Sequence, residues 1–179
     1  YVIDNQQDLN TFLTYIETQE QKVELYLRMK LKENTLKTEK YFVFGMDSED
    51  VNMRLRELHA HKNISSLGIH VHRKTQNIAE WNYEYELTQL IDKDVYEIID
   101  TINIGGGLPS EYANTNTKVI NAIFTTLEKL KTFLNNKGIK LLIEPGRFIA
   151  APAGELHTEI TLIDKQNIIV NASVYNADM

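Results

Sequence analysis

Short β-like runs and amphipathic helices take turns along this chain, and that alternation narrows its fold more than any other feature. After an opening run at residues 1–3, Leu9, Phe12, Leu13 and Ile16 recur at i, i+3, i+4 and i+7, the apolar face of a helix over residues 8–18. Residues 23–31 then alternate, with Leu25, Leu27 and Met29 on one face and Tyr26, Arg28 and Lys30 on the other, which predicts a strand. Asp47 is placed to cap a second helix whose Val51, Leu55 and Leu58 share a face. A strand over 67–72, a helix over 79–91 and a strand ending at Ile104 follow. The next helix carries Ile120, Ile123, Leu127, Leu130 and Leu134 and is closed by Gly138, and a short strand over 140–143 is broken by Glu144-Pro145-Gly146-Arg147. With no internal repeat and no low-complexity linker, this rhythm predicts an α/β fold. From Glu155 onward the pattern changes to two β-like runs, 156–163 and 167–170, with no helix between them, which reads as the start of an all-β element.

Composition removes several function classes. The chain has 179 residues, 19 basic against 25 acidic for a net charge of -6, and no Lys/Arg stripe, so nucleic acid is not an expected partner. Zero cysteines exclude a disulfide framework or thiol nucleophile within these residues. Apolar stretches such as 42–46 and 141–143 fall far short of the ~20 residues that span a bilayer, and residues 1–10 are no signal peptide. A soluble, cytoplasmic protein without membrane contact is expected. The chain opens on Tyr1 and stops at Met179 just past an apolar run, which suggests a segment of a longer protein.

Three groups of residues carry chemistry. Gly105-Gly106-Gly107 follows the strand-like Ile102-Asn103-Ile104, and successive bare backbone N–H groups can close on an anion such as phosphate; a plain turn is the alternative. In Glu144-Pro145-Gly146-Arg147 a carboxylate and a guanidinium flank a turn fixed by Pro145. Arg147 is suited to a phosphate and Glu144 to a cation such as a protonated ring nitrogen, or the two form a local ion pair. His70 and His72 share one strand face. Two imidazoles in that register suit a metal, but no third ligand lies nearby in sequence, so no metal site is expected; an imidazole stacked on a flat cofactor is the alternative.

The blocks "IHVHRKTQN" (69–77), "INIGGGLP" (102–109) and "IEPGRFIAAPAGEL" (143–156) occur in the order and spacing of the fold-type III pyridoxal-phosphate-dependent amino-acid decarboxylases. They resemble that family's His-Val-Gly-Ser, Asp-Ile-Gly-Gly-Gly and Glu-Pro-Gly-Arg blocks, as found in ornithine, arginine and diaminopimelate decarboxylases. "YVIDNQQDL" and "VELYLRMKL" resemble the strand segments before them. The resemblance implies pyridoxal 5'-phosphate as cofactor, His70 stacked on the pyridine ring, and Glu144 on its nitrogen, the pair that would act in catalysis. It places Gly105, Gly106 and Gly107 with Pro145, Gly146 and Arg147 around the phosphate, and Arg28 near the phenolic side. The related alanine racemases have an arginine at the ring nitrogen, so Glu144 favours decarboxylation over racemisation.

Two departures qualify this. Where the family has Gly-Ser, the chain has His72-Arg73, so that Arg73 either binds the phosphate or points to solvent. The lysine that carries the cofactor in this family lies upstream of Tyr1, and a partner-contributed cysteine lies downstream, so residues 1–179 alone are expected to be inactive. The expected architecture is a partial, alanine-racemase-like (β/α)8 barrel over residues 1–150, roughly strands four to eight, with residues 151–179 opening a β-sandwich-like domain. The expected activity is decarboxylation of a basic or diamino L-amino acid (ornithine, arginine, lysine or meso-diaminopimelate) by a homodimer. A non-catalytic homologue and an amino-acid racemase are the rivals.

Overall fold

In the computed structural model, which describes residues 1–31, 44–73, 79–111 and 117–173, the apolar periodicities become one core. Residues 74–77 of the first family-like block and 174–179 of the last β-like stretch lie outside the described residues. Strands β1 (Val2–Ile3), β2 (Val23–Arg28), β3 (Ile64–His70), β4 (Thr101–Asn103) and β5 (Lys140–Leu142) form one sheet in sequence order, with every pair parallel. Helices α1 (Gln6–Glu17), α2 (Ser48–Leu58), α3 (Tyr83–Leu90) and α4 (Thr117–Asn135) occupy the four crossovers. A strand order that never reverses, with a helix in each crossover, is the wall of a (β/α) barrel rather than a doubly wound sheet.

Local chemistry explains where these elements begin. Helix α1 starts two residues before Asp8 because Asn5 is its cap: the Asp8 N–H donates to Asn5 Oδ1 at 2.8 Å, and Asn5 Nδ2 donates to the Asp8 carboxylate at 2.7 Å. Leu9 and Ile16 on its inner face are fully buried, as are Val51 and Leu55 on α2. Asp47 stands at the cap position of α2 but makes no side-chain cap bond, and its carboxylate lies 3.7 Å from Lys30 Nζ. Helix α3 starts only at Tyr83, after the Asn82 cap position, so the 79–91 expectation was too long at its start.

The strands are short, and residues 25–27 of β2, 67–70 of β3 and 101–103 of β4 are buried on both faces. Alternation in β2 sets its leucines opposite Tyr26, yet Tyr26 is buried as well, because a parallel sheet of this kind is covered on both sides. Tyr26, Gly68 and Thr101 are register partners across β2, β3 and β4. A Cβ at position 68 would lie 2.5 Å from Tyr26 Cδ1 and 2.6 Å from the Thr101 carbonyl, so only glycine lets the tyrosine ring cross the sheet here.

After β5 the chain makes the short helix α5 (Arg147–Ala150) and then an antiparallel hairpin of β6 (Ile160–Asp164) and β7 (Asn167–Val170), with Lys165 at φ 55° in its turn. Its isoleucines, leucine and valine are exposed. Among the described residues no helix is long and apolar enough to cross a membrane.

Candidate cofactor-binding site

Strand register assembles the site. Arg28, His70, Asn103 and Leu142 are Cα partners across β2, β3, β4 and β5 at the carboxyl edge of the sheet. His72 and Glu144 stand two residues beyond His70 and Leu142, on the same side by the two-residue repeat of extended chain. The ladder runs on past the strand ends: Val71 N–H donates to Asn103 O at 2.8 Å, Ile104 N–H to Leu142 O at 3.0 Å and Glu144 N–H to Gly105 O at 2.8 Å. These bonds hold the functional turns against one another.

Glu144 is the centre of the cluster. Asn103 Nδ2 donates to its Oε1 at 2.8 Å, while Oε2 lies 3.7 Å from His70 Nε2. The same Asn103 side chain accepts the Gly105 N–H on Oδ1 at 2.9 Å, so one amide ties the carboxylate to the glycine turn. Asn103 was missed in the sequence reading; the available signal was an amide two residues before the glycines, where the resembling family has an aspartate. His70 is buried, and burial pushes its pKa down to about 4, with Glu144 pulling upward and the Arg28 and His72 charges adding to the fall. Burial also lowers the pKa of His72, again with Arg28 against it. Both imidazoles are therefore neutral near pH 7. The Arg28 guanidinium stands over the Phe44 ring, 5.3 Å from its centroid.

The glycine turn is wedged rather than slack. Gly105 and Gly107 have φ of 65° and 101°, which favour glycine. A Cβ on Gly105 would lie 2.5 Å from His72 Nδ1 and 2.7 Å from the Val71 carbonyl, and one on Gly106 would lie 2.8 Å from the Glu144 carbonyl. The Gly106 N–H donates to His72 Nδ1 across a long 3.4 Å. Beyond the glycines, Ser110 Oγ donates to the Arg147 carbonyl at 2.7 Å, which brings the second turn beside the first.

Arg73 requires a correction. It does not face solvent: it is 2% exposed, with Nη1 3.3 Å from Glu80 and Nη2 hydrogen-bonded to Glu86, and its guanidinium lies 5.5 Å from the Tyr83 ring centroid. Two partly buried carboxylates already neutralise this cation. The metal reading also changes: the third donor that spacing did not supply is Glu144, and donor atoms of His70, His72 and Glu144 all lie within 4.8 Å of one another.

The residues fit a pyridoxal cofactor. A neutral buried imidazole offers a flat face at His70, the Glu144 carboxylate has one oxygen free of Asn103, and backbone N–H groups without a Cβ line the turn. The long Gly106 contact to His72 is weak enough to be exchanged for an anion.

Comparison with known proteins identifies the family and the fold. The chain is 28% identical over 167 residues to the diaminopimelate decarboxylase of Aquifex aeolicus, a match covering 79% of this chain and 39% of that protein. It is 31% identical over 112 residues to the diaminopimelate decarboxylase of Buchnera aphidicola, covering 60% and 25%. The chain thus spans less than half the length of these relatives. Among solved structures, the lysine/ornithine decarboxylase of Vibrio vulnificus complexed with cadaverine superposes with a TM-score of 0.65 at 21% identity, covering 97% of this chain and 45% of that one. The diaminopimelate decarboxylase of Helicobacter pylori complexed with L-lysine gives 0.65 at 21% identity, covering 97% and 46%. At these identities the structures show a shared fold, the barrel of the pyridoxal-phosphate decarboxylases. Residues 1–151 match the family described as "Pyridoxal-dependent decarboxylase, pyridoxal binding domain", and the chain belongs to that family, with pyridoxal phosphate as its cofactor.

Proposed function

We propose that this chain is part of a decarboxylase acting on a basic or diamino L-amino acid, with residues 1–150 in the barrel and residues 151–179 opening a β-domain. The observation that carries the proposal is the Glu144 carboxylate, fixed by Asn103 on one oxygen and presenting the other beside a buried, neutral His70. When bound, the cofactor supplies the electron sink that takes up the pair left as CO₂ departs. Glu144 keeps the ring nitrogen protonated, which the sink requires, and His70 supports the ring by its face. The turn Gly105 to Gly107 holds the phosphate, with the Gly106 N–H exchanged from His72 as a donor, together with the Pro145-Gly146-Arg147 turn, while Arg28 stands on the neighbouring strand for the phenolic side. The named activities of the relatives, on diaminopimelate, lysine and ornithine, support the substrate class. A cytoplasmic homodimer completes the proposal.

Assaying CO₂ release by the full-length protein from lysine, ornithine, arginine and meso-diaminopimelate tests the reading and selects the substrate. Glu144→Gln should keep the cofactor and lose most turnover, because an amide cannot hold the ring nitrogen protonated. A kcat within about twofold of wild type would reduce Glu144 to a structural role. A cofactor-binding homologue without turnover is the second reading, favoured by His72, which stands over the Gly106 N–H where the resembling family has a small residue. No CO₂ from any of the four substrates, with cofactor bound, would select it.

A further inference from the structure

We propose that His70, His72 and Glu144 also bind a first-row divalent transition cation of the Zn²⁺ type, at a position that excludes the cofactor ring. Their donor atoms lie within 4.8 Å of one another, and His70 Nε2 and Glu144 Oε2 are already 3.7 Å apart. Tetrahedral bonds of about 2.0–2.1 Å place donors roughly 3.3 Å apart, so small side-chain rotations close the set. Two imidazoles and one carboxylate suit zinc, cobalt or nickel, whereas magnesium and calcium want an all-oxygen shell. Three protein donors leave a fourth position for water.

The surroundings favour ligation. Asn103 holds Glu144 Oε1, which leaves Oε2 as the oxygen presented toward His70 and supplies the outer hydrogen bond that orients ligating carboxylates. His70 is buried on a strand end, so little conformational freedom is lost when it ligates. His72 is the donor this chain adds, since the block it resembles has glycine there; without it only two donors remain. Cation binding takes Glu144 Oε2 and His70, the groups assigned above to the ring nitrogen and ring face. The competition, though not the cation binding, rests on that proposed function.

The test uses the full-length protein freed of cofactor. Titration with Co²⁺ should give the visible absorption of a four-coordinate site, and Zn²⁺ should displace it at one equivalent. His72→Ala and His72→Gln, checked for folding by circular dichroism, should each weaken Zn²⁺ binding at least about tenfold. Zn²⁺ should also raise the apparent Kd for pyridoxal phosphate in wild type and not in either variant. Absence of the Co²⁺ spectrum, or unchanged Zn²⁺ affinity in both folded variants, overturns the site. Tight Zn²⁺ binding that leaves cofactor affinity unchanged overturns the competition, and with it the placement of the ring on Glu144 and His70. Absence of CO₂ release from the metal-free holoprotein, with Zn²⁺ binding as expected, would instead count against the proposed function alone.

Discussion

Replacing Arg73 by Met removes a charge from a place where its partners cannot follow it into water. The Arg73 side chain is 1% exposed, and its partners Glu80 and Glu86 are 10% and 26% exposed. Exposed ion pairs contribute about 0–1 kcal/mol, whereas removing one partner of a buried pair costs about 3–5 kcal/mol because the other charge is left behind. Met preserves most of the apolar stem, so the loss is one of charge rather than volume. Glu86 keeps some water contact and can take up a proton, which puts the expected cost at pH 8 near the lower end, about 3 kcal/mol.

The pH dependence identifies the cause. Burial already raises the pKa of Glu86 in the wild type, and Arg73 restrains that rise. Without Arg73 the folded-state pKa climbs further above the unfolded value. A carboxyl of this kind binds protons more readily when folded, so its penalty is greatest at high pH and fades as the pH falls through the folded pKa. The deficit of the variant should therefore shrink between pH 8 and pH 5, read by urea unfolding of cofactor-free protein. In thermal melts, about 3 kcal/mol corresponds to roughly 6–12 °C for a domain of this size. A loss under about 1 kcal/mol, or one independent of pH, would refute the buried clamp. Normal stability with weakened cofactor binding would restore Arg73 as a phosphate ligand.

Three other outcomes are expected. Gly106→Val places side-chain atoms where a Cβ already lies 2.8 Å from the Glu144 carbonyl, and should weaken pyridoxal phosphate binding at least tenfold, about 1.4 kcal/mol; unchanged affinity in a folded variant would remove the glycine turn from the site. Gly68→Ala drives a methyl into the Tyr26 ring and the Thr101 carbonyl and should cost about 1–3 kcal/mol in chemical denaturation; a change under about 0.5 kcal/mol would show that the ring moves aside freely. His70, followed by NMR in cofactor-free protein, should titrate near pH 4 rather than near 6.5. Its folded pKa lies below the unfolded one, so its contribution to stability is complete above about pH 6.5 and is lost as the pH falls toward 4; a midpoint at the ordinary value would mean that the imidazole is solvated.

The elements were legible where their cause is local. Helix faces such as Val51, Leu55 and Leu58 follow from a repeat that any window of a dozen residues contains, and they are buried as expected. Boundaries failed where one side chain decides: Asn5 caps α1 and starts it at Gln6, two residues before the expected Asp8. The two-sided burial of β2 could not be read from alternation, because alternation records which residues share a face and not whether a helix or neighbouring strand covers it. Glu144 meets His70 across 74 positions of chain, through the register of two strand pairs, and no local spacing encodes such a meeting.

Arg73 shows why position alone transfers some roles better than others. The glycine turn was read correctly as a turn because its form is backbone: positive φ and close approach to Val71, His72 and Glu144 leave no room for a side chain, whatever else changes nearby. An arginine is different, since its charge sits at the end of a flexible stem and settles on the nearest well-placed anions. Those anions were visible in the sequence, with Glu80 seven residues ahead and Glu86 thirteen, Tyr83 between them at spacings of three. On helix α3, Tyr83 and Glu86 are three apart and lie on one side, and Glu80 in the lead-in adds a second carboxylate to the same cation. His72 precedes Arg73 by one residue and so points to the opposite side of the extended chain, beside His70 and Glu144, while Arg73 turns inward.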